Sequence, residues 1–276
     1  MALVLAATSR EALDAVSTSF EQRLAPLAAG DRQKLGEELY AVTRLLVAER
    51  ALRRAFSDPA TSGEQRASLA SSVLGGKVSA ATLDTVTDLV EARWSHPIDL
   101  VEGTESLART ALLAAAEKQR ALDDVEDQLF RFGRILEREP ELTTLLADTD
   151  VPADKRVELL DAVLGTKVYP VTSALLRDLV RTPRARHLDV AAEELAELAA
   201  ARRSRSVAYV RTAVALTAAQ EQQLTASLTR IYGREIALQT ELDESLLGGM
   251  VIRVGDEVID GSVSGKLAAA RRAIPS

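Results

Sequence analysis

The sequence predicts a mostly α protein: duplicated N-terminal helical-bundle modules followed by a small C-terminal α/β domain. Three observations lead there. Hydrophobic residues make up 47% of the chain but aromatics only 3%, so the apolar content is mostly Ala, Leu and Val, which suits close-packed helices. Sliding the chain against itself by 90 residues, without a gap, matches 17 of 52 positions over 39–90 and 129–180. These include Arg44 with Arg134, Asp58 with Asp148, Arg66 with Arg156 and Asp88 with Asp178, charged matches that low complexity cannot mimic. Past residue 204 the helical spacing gives way to short β-rich runs punctuated by glycine. The expected division is 1–106, 107–204 and 205–276.

Taken in order, "TSREALDAVSTSFEQRL" opens with the capping box Thr8 to Glu11 and places Leu13, Val16, Phe20 and Leu24 on one helix face. Leu35, Leu39, Val42 and Leu46 recur at helical spacing in the next segment. "SDPATSGEQR" then breaks the pattern, and Ser62 with Gln65 offers a second capping box. In the second copy the same break reads "DTDVPADKR", with Pro152 suited to a first helical turn. "LGGK" and "LGTK" end equivalent helices at Gly75 and Gly165. Beyond 204, "VAYVRTAV" reads as a strand and "LTAAQEQQLTASLTRIYG" as a helix capped by Thr217 and Gln220, with Leu224, Leu228 and Ile231 as its stripe. "EIALQTEL" alternates Ile236, Leu238 and Leu242. "MVIRV" and "EVID" flank Gly255-Asp256, a two-residue hairpin loop. Asp260-Gly261-Ser262 then opens a closing helix with Val263, Leu267 and Ala270 on one face.

Composition narrows the function. A net charge of -7 disfavours a partner held by broad phosphate neutralisation. The absence of cysteine removes disulfides, thiolate nucleophiles and sulfur-ligated metals. The opening "MALVLAATSREALD" lacks the basic and apolar regions of a signal peptide, and no apolar run approaches a membrane span, so any membrane role is expected to be peripheral. The stretch ending in Gly265-Lys266 invites comparison with a phosphate loop. It fails on spacing, because only three residues separate Gly261 from Gly265, and Leu267 stands where a hydroxyl is required. Hairpin and turn geometry explains these glycines better.

Residues 247–274, "LGGMVIRVGDEVIDGSVSGKLAAARRAI", resemble the C-terminal signature of the delta subunit of F-type ATP synthases, the bacterial counterpart of the oligomycin-sensitivity-conferring protein. The structural signature comprises Gly248, Gly249, Gly255, Asp256, Asp260, Gly261 and Ser262. Segment 207–246 is similar to the family in its strand, helix and strand, and "LLVAERALRRAFSDP" resembles the third helix of the family's helical bundle. The doubled helical module resembles the enlarged actinobacterial form, in its version not fused to a membrane-spanning stator subunit. The resemblance implies a stator subunit without catalytic activity or cofactor, joining the alpha subunits of the catalytic head to b-type stalk helices at the cytoplasmic face of the cell membrane. It also implies that the helical region grips N-terminal helices of the alpha subunits, while the C-terminal domain holds the stalk.

Helix-in-groove recognition suits long apolar stripes. The candidate groove lies between the first helix, bearing Leu13, Val16 and Phe20, and the fifth, bearing Leu83, Val86 and Val90. Each of these residues also fits the bundle's own core, and Ser173, Leu176 and Val180 occupy the equivalent positions in the second copy. His96 and His187, the only histidines, lie at corresponding ends of the repeats and make a poor metal set without cysteine. Arg177, Arg181, Arg184, Arg186, Arg202 and Arg203 fit a solvated face or a surface for acidic partners, and Trp94 fits packing. A helical-repeat adaptor or RNA-binding regulator is the alternative, and an enzyme using the glycine-rich turn is a further one.

Overall fold

The computed structural model describes residues 5–183, 187–205, 207–232, 236–243, 246, 248–255 and 257–263. Its contacts divide the chain into two compact units, Met1–Ala199 and Ala200–Ser276.

The first unit is built from helices α1 (Ala7–Leu24), α2 (Ala29–Ala48), α3 (Arg50–Ser57), α4 (Gly63–Leu74), α5 (Ala80–Glu91), α6 (Pro97–Lys118), α7 (Leu122–Arg138), α8 (Pro140–Ala147), α9 (Ala153–Leu164), α10 (Pro170–Arg181) and most of α11 (Leu188–Arg205), which the division crosses after Ala199. The 90-residue register explains this order. It lays α1 on α6, α2 on α7 and so on to α5 on α10, after which α6 itself falls on α11. The repeat is therefore five helices long, and α6 both completes the first copy and begins the second.

Helix α6 is suited to two sets of neighbours because small side chains let other helices approach. Ala108, Ala111, Ala114, Ala115 and Ala116 are all buried along it. The closest approach is at Gly36 of α2, where an added β-carbon would lie 2.7 Å from Leu112 Cγ and 3.0 Å from the Ala108 carbonyl oxygen. A single hydrophobic core runs from Val16 in α1 to Ala199 in α11.

Polar devices repeat with the helices. Buried Arg66 donates from Nε to the Val90 carbonyl at 2.6 Å, and buried Arg156 donates from Nη1 to the equivalent Val180 carbonyl, also at 2.6 Å. Glu38 accepts from the Ser79 N–H at 2.9 Å and from the Thr82 hydroxyl at 2.6 Å, at the start of α5. Gln128 does the same for the Tyr169 N–H and the Thr172 hydroxyl at the start of α10. Burial pushes the Glu38 carboxyl up, but the Thr82 and Ser79 hydrogen bonds and the Lys34 charge more than offset this and leave it below the usual carboxylate range. Asp58 and Asp148 each accept the N–H two residues on, at 3.0 Å, which turns the chain between their helices.

Local expectations meet the structure unevenly. Ser62 and Gln65 form the reciprocal capping box at α4. Thr8 caps nothing: α1 begins one residue earlier, behind Ala6, which makes no side-chain cap. Ser9 is drawn inward instead, donating to Asp99 Oδ2 at 2.6 Å and accepting the Ser95 N–H at 2.8 Å. Pro152 precedes α9 as its N-cap. The left-handed residue ending the helix is Gly165 in the second copy, with φ 58°, but Gly76 in the first, with φ 71°.

The second unit contains β1 (Val207–Thr212), α12 (Ala218–Tyr232), β2 (Ala237–Leu242), β3 (Met250–Val254) and β4 (Glu257–Asp260). The sheet order is β2-β1-β3-β4. Strands β1 and β2 run parallel, joined through α12, whereas β3 is antiparallel to both β1 and β4. The Thr217–Gln220 pair caps α12 as expected. Ala208, Val210, Leu228, Ile236, Ile252 and Val254 form the core. The closing helix falls largely outside the described residues, as do Leu267, Ala270, Gly265 and Lys266.

Candidate docking surfaces

The glycine-rich stretch is a structural closure. Gly249 has φ 81°, and a β-carbon there would sit 2.5 Å from the Gly261 carbonyl oxygen. Gly255 has φ 59° at the hairpin between β3 and β4, while its neighbour Asp256 lies outside the described residues. The Gly261 N–H donates to the Met250 carbonyl at 3.0 Å, the Ser262 N–H to Asp260 Oδ1 at 2.9 Å, and the Val263 N–H to the Gly248 carbonyl at 3.0 Å. The Ser262 hydrogen bonds hold the Asp260 carboxyl below its ordinary range. Phosphate binding needs a run of unsatisfied N–H groups, and these three are committed within the fold.

On the helical unit, Val16, Phe20, Val86 and Val90 are buried in the core, and Leu13 and Leu83 lie half-buried at its edge. Helices α1 and α5 pack against each other, linked by Arg23, whose Nη2 donates to Asp88 Oδ2 at 2.8 Å and whose Nη1 donates to Thr85 at 3.1 Å. In the second copy Leu176 and Val180 are buried and Ser173 is half-buried. Its Asp178, the counterpart of Asp88, takes a different partner: Arg44 Nη1 of α2 donates to it at 2.7 Å. Burial pushes the Asp178 carboxyl up to about 6, with Arg44 pulling against it and Glu105 of α6 pushing further. Both members of this pair were visible as charged repeat matches. Their contact was not, because it joins different helices of different copies.

The other candidates resolve into ordinary contacts. Arg177 meets Asp161 through two hydrogen bonds of 2.8 and 3.0 Å, and Arg181 approaches Asp154 at 3.6 Å. Arg202 is buried, Arg203 is also partnered, and Arg184 and Arg186 lie outside the described residues. His96 occupies the N-cap position of α6 without a side-chain cap and lies 3.5 Å from Asp99, and exposed His187 immediately precedes α11. Trp94 is buried against Gly103 and donates its indole N–H to the Leu89 carbonyl at 2.7 Å. Among the described residues no group of acidic, His or Cys side chains could hold a metal, and no helix is long and apolar enough to cross a membrane.

Such a chain, with three N–H groups of its glycine-rich stretch consumed internally and Arg23, Arg44, Arg177 and Arg181 paired to its own acids, has the make-up of a helical docking protein. Comparison with known proteins gives the particular kind. Residues 109–274 match the family model described as ATP synthase delta (OSCP) subunit. The chain is 46% identical over 266 residues to ATP synthase subunit delta of Streptomyces griseus, covering 96% of this chain and 95% of that one. It is 42% identical over 270 residues to the subunit delta of Acidothermus cellulolyticus, covering 97% and 98%. It is 45% identical over 268 residues to ATP synthase subunit b-delta of Mycobacterium sp. (strain KMS), covering 97% of this chain but 60% of that longer one. The chain belongs to the ATP synthase delta (OSCP) subunit family. It is a non-catalytic peripheral-stalk subunit of the F-type enzyme. The family model begins inside α6, so it spans most of the second copy and the C-terminal unit and leaves α1 to α5 outside.

Proposed function

We propose that this subunit ties the catalytic head to the peripheral stalk through two separate attachments, one on each compact unit. The observation carrying this reading is the division of the chain into Met1–Ala199 and Ala200–Ser276, each with a core of its own. The helical unit receives an amphipathic N-terminal helix of an alpha subunit between α1 and α5. Leu13 and Leu83 form the accessible edge of this groove, and buried Val16, Phe20, Val86 and Val90 support it from behind. The C-terminal unit holds the b-type stalk helices. In terms of descent, 1–106 and 107–204 are two modules fused through α6, and 205–276 is the third. As a peripheral part of the complex, the subunit in this reading lies on the cytoplasmic face of the cell membrane.

The physical requirement is resistance to torque. Two linked attachments raise the effective concentration at each, so release of one is followed by rebinding before the other lets go. The test is a sedimentation assay combining heads stripped of this subunit with the soluble part of the stalk. Adding the full chain is expected to bring head and stalk into one particle; a chain that binds neither partner, or only one, defeats the reading.

A further inference from the structure

We infer that the doubled helical unit offers one groove for a head helix, not two, because the chain's own α2 already occupies the groove of the second copy and displays there the chemistry of a docked helix. This rests on the reading above that a head helix docks on α1 and α5, and seats that helix over Ala15 and Ser19, on a different face of α1 from Leu13. Under the 90-residue register the α1/α5 face corresponds to the α6/α10 face. On the latter, α2 packs against both α6 and α10. Its Arg44 donates to Asp178 of α10 at 2.7 Å. Its Tyr40, 3% exposed, is in electrostatic contact with Arg109 of α6. Its Glu37 borders, together with Tyr40 and Arg44, a cleft of about 290 Å³ whose far wall includes Arg177 and Arg181 of α10. One helix thus presents an acid, an aromatic ring and a base at i, i+3 and i+7, along a single face.

The same positions in the first copy are exposed or half-buried, and Asp88 there accepts from Ser19 and Arg23 of α1 at 3.2 and 2.8 Å. Ser19 stands where Arg109 does and Asp88 where Asp178 does, and both are half-buried. Ala15 and Asp84, at the places of Glu105 and Ala174, are exposed, as is Glu91, at the place of Arg181. The charge has also been rewritten. Where α10 offers Arg177 and Arg181 to the Glu37 end of α2, α5 offers Thr87 and Glu91. The occupant that fits is an amphipathic helix with a bulky apolar or aromatic residue over Ala15 and Ser19. Basic residues belong on both sides of it, facing exposed Asp84 and Glu91 in place of the Glu37 and Arg44 ends of α2, while Asp88 is already held by Arg23 of α1.

The experiment uses the full chain and a fluorescent synthetic peptide of the N-terminal helix of the alpha subunit from the same enzyme. One peptide is expected per chain, bound more weakly as salt rises. Exposed Ala15→Trp and Asp84→Lys should each weaken binding at least about tenfold, while Arg177→Glu on the filled groove leaves it unchanged. Thermal melting of each variant separates lost binding from lost folding. Two peptides per chain, or one whose binding resists Ala15→Trp and fails with Arg177→Glu, overturns the inference and leaves head docking standing. No peptide bound at all, by a chain that melts normally, removes the head-docking reading and this inference with it.

Discussion

Replacing Arg66 by alanine is expected to lower the unfolding free energy by about 3–5 kcal/mol, read as a shift in denaturant midpoint at unchanged slope. The guanidinium, 4% exposed, is shared among the ends of three elements. It bonds the Val90 and Glu91 carbonyls in the last turn of α5 at 2.6 and 3.1 Å and the Ala92 carbonyl just beyond at 3.3 Å. It also bonds the Asp58 carbonyl after α3 at 2.9 Å and the Thr61 carbonyl before α4. Helix C-termini leave carbonyls without intrahelical donors, and the positive charge suits that end of the helix dipole. Removing the side chain leaves several of these oxygens in a site that water reaches poorly, at about 1–3 kcal/mol for each group left unpaired. Lysine should rescue only a small part, because a single ammonium cannot reproduce the planar fork that spans all three elements. Arg156→Ala should cost less, since that side chain bonds the Val151, Leu146 and Val180 carbonyls only, at 3.2, 3.4 and 2.6 Å. Equal losses at the two sites, or a loss at Arg66 below about 1 kcal/mol, would show that the carbonyls find other donors.

Phe20→Ala should destabilise the helical unit by a similar amount, about 3–5 kcal/mol, through lost burial and the cavity left behind. Phe20 is fully buried and belongs to the core that α1 shares with the rest of the bundle. Leu13, two turns earlier on the same helix, is only half-buried, so Leu13→Ala should cost about 1 kcal/mol or less. Circular dichroism melts of the two variants measure the contrast. A small loss at Phe20 would mean that its ring supports the outer face of α1 more than the interior.

The architecture was legible where local pattern and tertiary environment agree. The 90-residue register exposed the repeat because two of its charged matches are structural: Arg66 and Arg156 bond the equivalent Val90 and Val180 carbonyls, and Asp58 and Asp148 form the same turn. Sharing of α6 was harder to see, since α1 and α6 have diverged to meet different neighbours. The register places Leu13, Val16 and Phe20 on Gly103, Ser106 and Thr110, so no apolar stripe survives to mark the equivalence. The Thr8 to Glu11 box failed because the buried Ser9–Asp99 contact sets how α1 begins. An apolar stripe also cannot tell a core face from a docking face. Val16, Phe20, Val86 and Val90 are indistinguishable from groove residues by periodicity, and only their burial places them in the interior. The exposed acids Asp84 and Glu91 carry no sequence signal of their own, and acquire meaning only from what α2 does on the equivalent face.

The most direct measurement is cross-linking mass spectrometry on the intact ATP synthase. Cross-links from the helical unit, residues 1–199, are expected to run to the N-terminal segments of the alpha subunits, and those from the C-terminal unit to the ends of the b-type stalk helices. Links in the opposite sense, or both partners joined to the same unit, would contradict an attachment divided between the two units.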